Sequence, residues 1–194
     1  MIIQKPVNKY FKGRKYPIKG ICIHLADGNA EQVYSTFQNE PKSSHYFVLK
    51  SGGIWQFVSE NDIAWAQGLV RNPTAKLVLD NPGLNPNEFL ISIEHEGYAK
   101  DDINSVMYET TAKLVREICL RYGLTIDRDT VIGHREIRND KLCPGKIDMD
   151  KIVNMAAYPK VVNATASTIE EKKISLLQQI VNLYKLLLNL YKGK

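Results

Sequence analysis

Gly20-Ile-Cys-Ile-His24-Leu-Ala-Asp-Gly-Asn29 is the stretch on which the fold turns. Its first five residues read as a short strand that ends on a histidine, and Asp27-Gly28-Asn29 reads as a turn. Val33 and Phe37 follow, four apart, which places an apolar stripe on a short helix. A strand feeding a helix in this way is the repeating step of an α/β layer. Downstream, Tyr46–Lys50 and Ile54–Val58 are β-rich runs around Ser51-Gly52-Gly53, a hairpin signal. Residues 69–88 contain Pro73, Pro82, Gly83 and Pro86, which predicts a long irregular loop of the kind that borders active sites. Phe89–Glu96 is a further strand. From Met107 to Tyr122 apolar residues recur at helical spacing, and Gly123 is suited to end that helix. Thr130-Val-Ile132 is a short strand leading into Gly133-His134. Strands alternating with helices predict the α/β class with one central sheet.

The 194 residues, 44% hydrophobic and 24% charged, suffice for a core without disulfide staples. They exclude a disordered polymer, a collagen and a disulfide-dense mini-protein. The sequence contains no uncharged apolar run long enough for a spanning helix. The first twenty residues hold six basic side chains, no acidic one, and no apolar core of a secretory signal. Cys22, Cys119 and Cys143 are odd in number and far apart, which fits a reducing compartment. The net charge of +5 suits polyanions such as wall polymers or anionic lipid. Neither an aromatic-rich basic motif nor zinc-finger spacing favours nucleic acid.

The end of the chain differs in character. Ser167 and Glu170 have capping-box spacing, and 168–192 lacks Pro and Gly. Ile174, Leu177, Val181, Tyr184, Leu188 and Tyr191 form one stripe, with Leu176, Ile180, Leu183, Leu187 and Leu190 beside it. The pattern predicts a C-terminal amphipathic helix over 168–194, a linker over 159–167 and a principal domain over 1–158. So wide an apolar face needs a cover. The three covers are the chain's own domain, weak self-association of an otherwise monomeric protein, and an anionic membrane or envelope, with the last favoured.

Four histidines are present: His24, His45, His95 and His134. His134 lies nine residues before Cys143, and imidazole and thiolate are both good zinc ligands. His24, between a strand and a turn, is suitably placed to be a third ligand, leaving one position for water. A His–Cys pair nine apart is by itself a common coincidence.

Several segments together carry more. Ile21-Cys-Ile-His24, Ser44-His45-Tyr-Phe-Val with its Ser51-Gly-Gly turn, Asp62-Ile-Ala-Trp65, Ile91-Ser-Ile-Glu94-His-Glu-Gly97, Ile132-Gly-His134-Arg-Glu and Lys141-Leu-Cys143-Pro-Gly145 occur in this order. Over residues 18–155 the chain resembles the type 2 N-acetylmuramoyl-L-alanine amidases, zinc peptidoglycan hydrolases related to peptidoglycan-recognition proteins and small phage lysozymes. The resemblance implies a mixed β-sheet flanked by helices, with His24, His134 and Cys143 as zinc ligands. Cys143 matches the thiolate variant, whereas cytosolic wall-recycling relatives have aspartate there. Lys141, two before the third ligand, is implied as the cation that steadies the oxyanion. One branch of the family has a tyrosine where this chain has Ser44, and the other has a glutamate matching Glu94. Strand alternation puts Glu94 and Glu96 on one face, so the resemblance alone selects Glu94 as general base. His95 points to the other side and has no role assigned.

His45 reads first as a packed, hydrogen-bonded histidine and second as a substrate contact. Trp65 reads either as a wall of the substrate groove or as a buried residue. Many relatives have Trp-His-Ala-Gly where this chain has Trp65-Ala-Gln-Gly68, so that family histidine is missing. Cys22 and Cys119 sit at core-like positions. The resemblance implies a phage endolysin, made in the host cytoplasm without a signal peptide, that acts on the bacterial cell wall. The alternatives are a cytosolic muropeptide-recycling amidase and a non-catalytic peptidoglycan-recognition protein.

Overall fold

In the computed structural model, residues 2–159 and residue 180 are described. The linker (but for Pro159) and the C-terminal amphipathic helix expected from the sequence, and with them the membrane and self-association expectations for 168–192, therefore lie outside the described residues, Ile180 apart. Among the described residues no helix is long and apolar enough to cross a membrane.

Eight strands are present among the described residues: β1 (Ile2–Gln4), β2 (Tyr10–Phe11), β3 (Gly20–Ile23), β4 (Tyr46–Val48), β5 (Ile54–Gln56), β6 (Ile63–Ala64), β7 (Leu90–His95) and β8 (Val131–Gly133). Six form one sheet in the order β1-β5-β4-β7-β3-β8, while β2 pairs with β6 apart from it. Only the β4–β5 hairpin is antiparallel within the large sheet. The sheet is thus mixed and the class is α/β, as the alternation of elements predicts.

Both faces of the sheet are covered, and each strand divides its side chains between them. Ile21, Ile23, Ile91, Ile93 and Val131 face α3 (Ser105–Tyr122) and α4 (Met149–Ala157) in the largest core cluster. Phe47 faces the opposite way, packing with Val33 and Phe37 of α1 (Ala30–Asn39). Cys22, Leu90 and Ile132 lie on that second face too, under α2 (Lys76–Leu79). α1 begins at a reciprocal cap: Asn29 Oδ1 accepts the Gln32 N–H and Gln32 Oε1 accepts the Asn29 N–H. α3 starts on Asn104, whose side chain accepts the Met107 N–H, and ends on Gly123 at φ 64°.

Two sequence expectations need correction. Residues 69–88 are not wholly irregular, since they hold α2 and a short 3₁₀ turn at Pro86–Glu88. The strands β1 and β2 and the helix α4 have no counterpart in the sequence reading. β1 and β2 are only three and two residues long, too short for period-2 patterning to register. α4 is capped by Asp148, which accepts the Lys151 N–H.

Arg14 ties the segment before β3 to the loop after β5, the 3₁₀ turn at Pro86–Glu88 and the start of β7. Its Nε donates to the Glu60 carbonyl at 2.7 Å, Nη1 to those of Asn87 and Glu88, and Nη2 to that of Leu90 at 3.1 Å. Hydrogen bonds from a charged donor contribute about 1.5–3 kcal/mol each. Arg14→Met orphans these carbonyls together, so we expect a loss of roughly 3 kcal/mol or more. At about 2–4 °C per kcal/mol this lowers the melting temperature by about 6–12 °C, readable by calorimetry. An unchanged melting temperature would show that water replaces the guanidinium.

Candidate metal centre and active-site cavity

Parity and register together build the site. Cys22 and Ser92 point to the α1 side of the sheet, so His24 and Glu94, two residues further on, point there as well. β3, β7 and β8 run parallel, and His24, Glu94 and His134 therefore meet at their carboxyl ends. A cavity of about 520 Å³ opens there, lined by all three with Cys143, Trp65, Gln67, Lys42, Arg138, Lys141 and one side of α1. The 69–88 segment does not line it. This corrects the expectation of a bordering loop, because the segment faces a separate apolar groove of about 460 Å³ that shares only Gly68.

His24, His134 and Cys143 offer donor atoms that all lie within 4.8 Å of one another. Cys143 Sγ is 3.8 Å from His24 Nδ1, and the two imidazole rings are 4.6 Å apart. Tetrahedral zinc with ordinary bond lengths separates such donors by about 3.4–3.6 Å, so two imidazoles and a thiol in this arrangement fit the ion. The Leu25 N–H donates to Sγ at 3.3 Å, a contact that supports a thiolate. In the protein alone, burial pushes the Cys143 thiol up to about 12 and holds His24 well below the usual imidazole range. Both shifts favour neutral groups, and an ion is what makes a thiolate tolerable there.

The donor side chains are held from behind. The His24 N–H donates to the Ile93 carbonyl at 2.8 Å, while the His24 carbonyl accepts from His95 Nδ1 at 2.8 Å. His95 Nε2 in turn accepts the Thr111 hydroxyl of α3 at 2.7 Å. His95, which the sequence reading leaves without a role, is thus a buried strut between α3 and His24. The 134–145 loop is closed by Arg135: its N–H donates to the Cys143 carbonyl, and its guanidinium donates to the carbonyls of Leu142 and Gly145. Gly145, at φ 65°, brings the loop too close to Ala99 and Leu25 for any side chain.

The two glutamates that parity leaves together are separated by structure. Glu96 accepts the Lys50 and Ala30 N–H groups at 2.8 and 3.3 Å and so fixes the hairpin and the start of α1. Glu94 lines the cavity, and its Oε2 is buried with no hydrogen-bond partner. Burial pushes its carboxyl up to about 8, with the charge of Lys42 acting the other way. Lys141 is exposed at the cavity mouth.

Trp65 lines the cavity, its backbone N–H donating to Ser43 Oγ at 2.9 Å, while its indole nitrogen is buried without a hydrogen bond. Phe11, 61% exposed, packs on it with ring centroids 5.1 Å apart, an aromatic contact absent from the sequence reading. The substrate-contact reading of His45 is corrected. Its side chain is on the same face as Glu94, but β4 is paired so that Phe47 is level with Glu94, leaving His45 two residues deeper. His45 is fully buried: Nδ1 accepts the Ser92 N–H at 2.9 Å, and Nε2 lies 2.6 Å from Arg14 Nη2. Burial and the Arg14 charge push it down to about 3, so it remains an uncharged packing residue.

A family model described as N-acetylmuramoyl-L-alanine amidase matches residues 14–146. Among curated proteins, the N-acetylmuramoyl-L-alanine amidase CwlL of Bacillus licheniformis is 24% identical over 86% of this chain and 50% of its own length. The 1,6-anhydro-N-acetylmuramyl-L-alanine amidase AmpD of Haemophilus influenzae is 29% identical over 54% and 52%. The chain therefore spans about half the length of the curated relatives it matches. Among solved structures, a selenomethionine derivative of AmpD superposes with a TM-score of 0.62 at 18% identity, covering 78% of this chain and 92% of that one. At that identity the likeness is one of fold.

Glu94 gives a pH-dependent test of the site's electrostatics. Its folded value of about 8 lies above the ordinary 4.5, so the native state keeps a proton that the unfolded chain releases. The stability this contributes is complete below about pH 4.5 and is lost as the pH rises towards 8. In metal-free protein, Glu94→Gln should therefore melt higher than the parent, by a margin that widens from pH 5 to pH 8. A margin independent of pH would mean that water solvates the carboxylate.

Proposed function

The chain belongs to the N-acetylmuramoyl-L-alanine amidase family, and on that premise we propose that it hydrolyses the amide between the muramoyl lactyl group and L-alanine of peptidoglycan, with zinc as its metal. The observation that carries the proposal is the convergence of two imidazoles and a thiol beside an unpartnered carboxyl in one cavity. The family match, which spans the whole site, supports it.

His24, His134 and Cys143 hold the metal in this reading. Zinc, when bound, supplies a Lewis acid that polarises the scissile carbonyl and acidifies water. Glu94 takes the proton of the attacking water and returns it to the departing amine of L-alanine. A carboxyl raised by burial towards neutrality is suited to both transfers. The Lys141 ammonium at the mouth steadies negative charge on the carbonyl oxygen as it tetrahedralises. Trp65 and α1 wall the groove and orient the sugar and peptide.

The setting we propose is that of an endolysin acting on the bacterial wall. The thiol at position 143 and the basic, apolar stretch 168–192 favour it over a soluble-muropeptide recycling role. A purely peptidoglycan-recognising protein is disfavoured because all three donor positions are filled. Contact with an anionic envelope through residues 168–192 belongs to the same proposal. Leu183→Glu with Leu187→Glu should abolish binding to anionic vesicles without affecting wall digestion, and retained vesicle binding would remove the envelope role.

Mass spectrometry of digested sacculi tests the reaction itself. New L-alanine amino termini should appear with no new reducing sugar ends, and new reducing ends would make the protein a glycosidase instead. Cleavage confined to soluble muropeptides would establish the recycling role. Strong chelation should stop the reaction and zinc should restore it. Glu94→Gln should keep about one zinc per chain yet lose roughly 10²–10⁴-fold in turnover, whereas Glu96→Gln should be milder.

A further inference from the structure

Gln67 touches both histidines of the metal centre through different atoms. Its side chain is fully buried, in a segment where the commoner motif Trp-His-Ala-Gly would put alanine at this position. Its backbone is pinned, because Asn87 Oδ1 accepts the N–H groups of both Ala66 and Gln67 at 3.0 Å. The Gln67 carbonyl faces His134 Nε2 at 3.0 Å. A carbonyl only accepts, so His134 carries its hydrogen on Nε2, and its lone pair is on Nδ1.

The side-chain amide is turned towards the other ring. Gln67 Nε2 donates to Ser92 Oγ at 2.8 Å, which turns Oε1 towards the site. Gln67 Oε1 and His24 Nε2 are neighbours, and each is buried without a hydrogen bond of ordinary geometry. An acceptor aimed at an imidazole nitrogen is satisfied only if that nitrogen carries the hydrogen. His24 then has its lone pair on Nδ1, the atom 3.8 Å from Cys143 Sγ.

We propose that Gln67 is a positioning residue that sets both histidines in one tautomer, with hydrogen on Nε2, so that both Nδ1 lone pairs converge with Cys143 Sγ. The backbone carbonyl sets His134 and the side-chain carbonyl sets His24. The inference deepens the zinc reading and rests on it for its purpose, but the tautomers exist without metal. Ligating imidazoles commonly donate their second N–H to such an acceptor, and losing that acceptor weakens metal binding by about 10–100-fold.

The test uses full-length protein labelled with ¹⁵N and stripped of metal. Long-range ¹H–¹⁵N spectra at pH 7.5 should show both His24 and His134 protonated on Nε2. In Gln67→Met, which removes the side-chain acceptor and keeps the backbone, His24 should become a mixture of tautomers while His134 stays as it was. Zinc affinity, measured by competition with a chromophoric chelator, should fall about 10–100-fold in this variant. Gln67→Glu, which keeps an acceptor at the same reach, should restore it. His24 protonated on Nδ1 in the parent protein overturns the proposal even if Gln67→Met does not fold. So does a folded Gln67→Met whose His24 tautomer and zinc affinity match the parent's. If the tautomers are as stated but the parent binds no zinc, the tautomer assignment stands and the zinc reading fails.

Discussion

The parallel pairing of β7 with β3 and of β3 with β8 is the constraint on which the molecule's chemistry depends. Parallel strands end at the same edge of a sheet, and ligands in open α/β sheets gather outside those carboxyl ends. Register then sets the level and parity sets the face. Ile23 lies level with Ile93 and Gly133, so the next residues on each strand leave the sheet side by side. A shift of one residue in either pairing would send His24 or His134 into the apolar layer under α3. The core of isoleucines on that face is what forbids the shift. The hydrophobic packing therefore sets the geometry of the donors from the opposite face of the sheet.

Polar groups behind the cavity are unusually well matched for a place so dry. His95, Thr111, Ser92, Gln67 and Asn87 each give or take defined hydrogen bonds. The contrast is on the cavity side, where Glu94 Oε2, His24 Nε2, Gln67 Oε1 and the Trp65 indole nitrogen are buried without a hydrogen bond. Satisfied networks confer rigidity, and exposed deficits confer reactivity.

The strands that deliver the donors were readable because each is an apolar run ending on a polar residue of clear chemical type. Gly20–His24, Phe89–Glu96 and Thr130–His134 all have that form, and α3 is legible from its stripe and terminal glycine. The sheet order was not readable, nor was the depth of a residue along a strand. His45 shares a face with Glu94, and only the pairing of Phe47 with Glu94 reveals that it lies below the cavity floor. Glu94 and Glu96 share parity, and only the N–H groups of Ala30 and Lys50 distinguish them. Gln67 carried no signal beyond replacing a small residue in a recognisable motif. A glutamine announces neither a metal nor a tautomer until its neighbours are known.

His24 and Cys143 are 119 positions apart in the chain, with Glu94 and His134 between them. No fragment ending short of Cys143 contains a complete donor set. During synthesis the amino-terminal two-thirds of the chain can form strands and bury apolar surface while remaining chemically silent. Premature termination or proteolytic clipping ahead of the 134–145 loop likewise yields inert pieces. The donor set is complete only once Cys143 has been added to the chain.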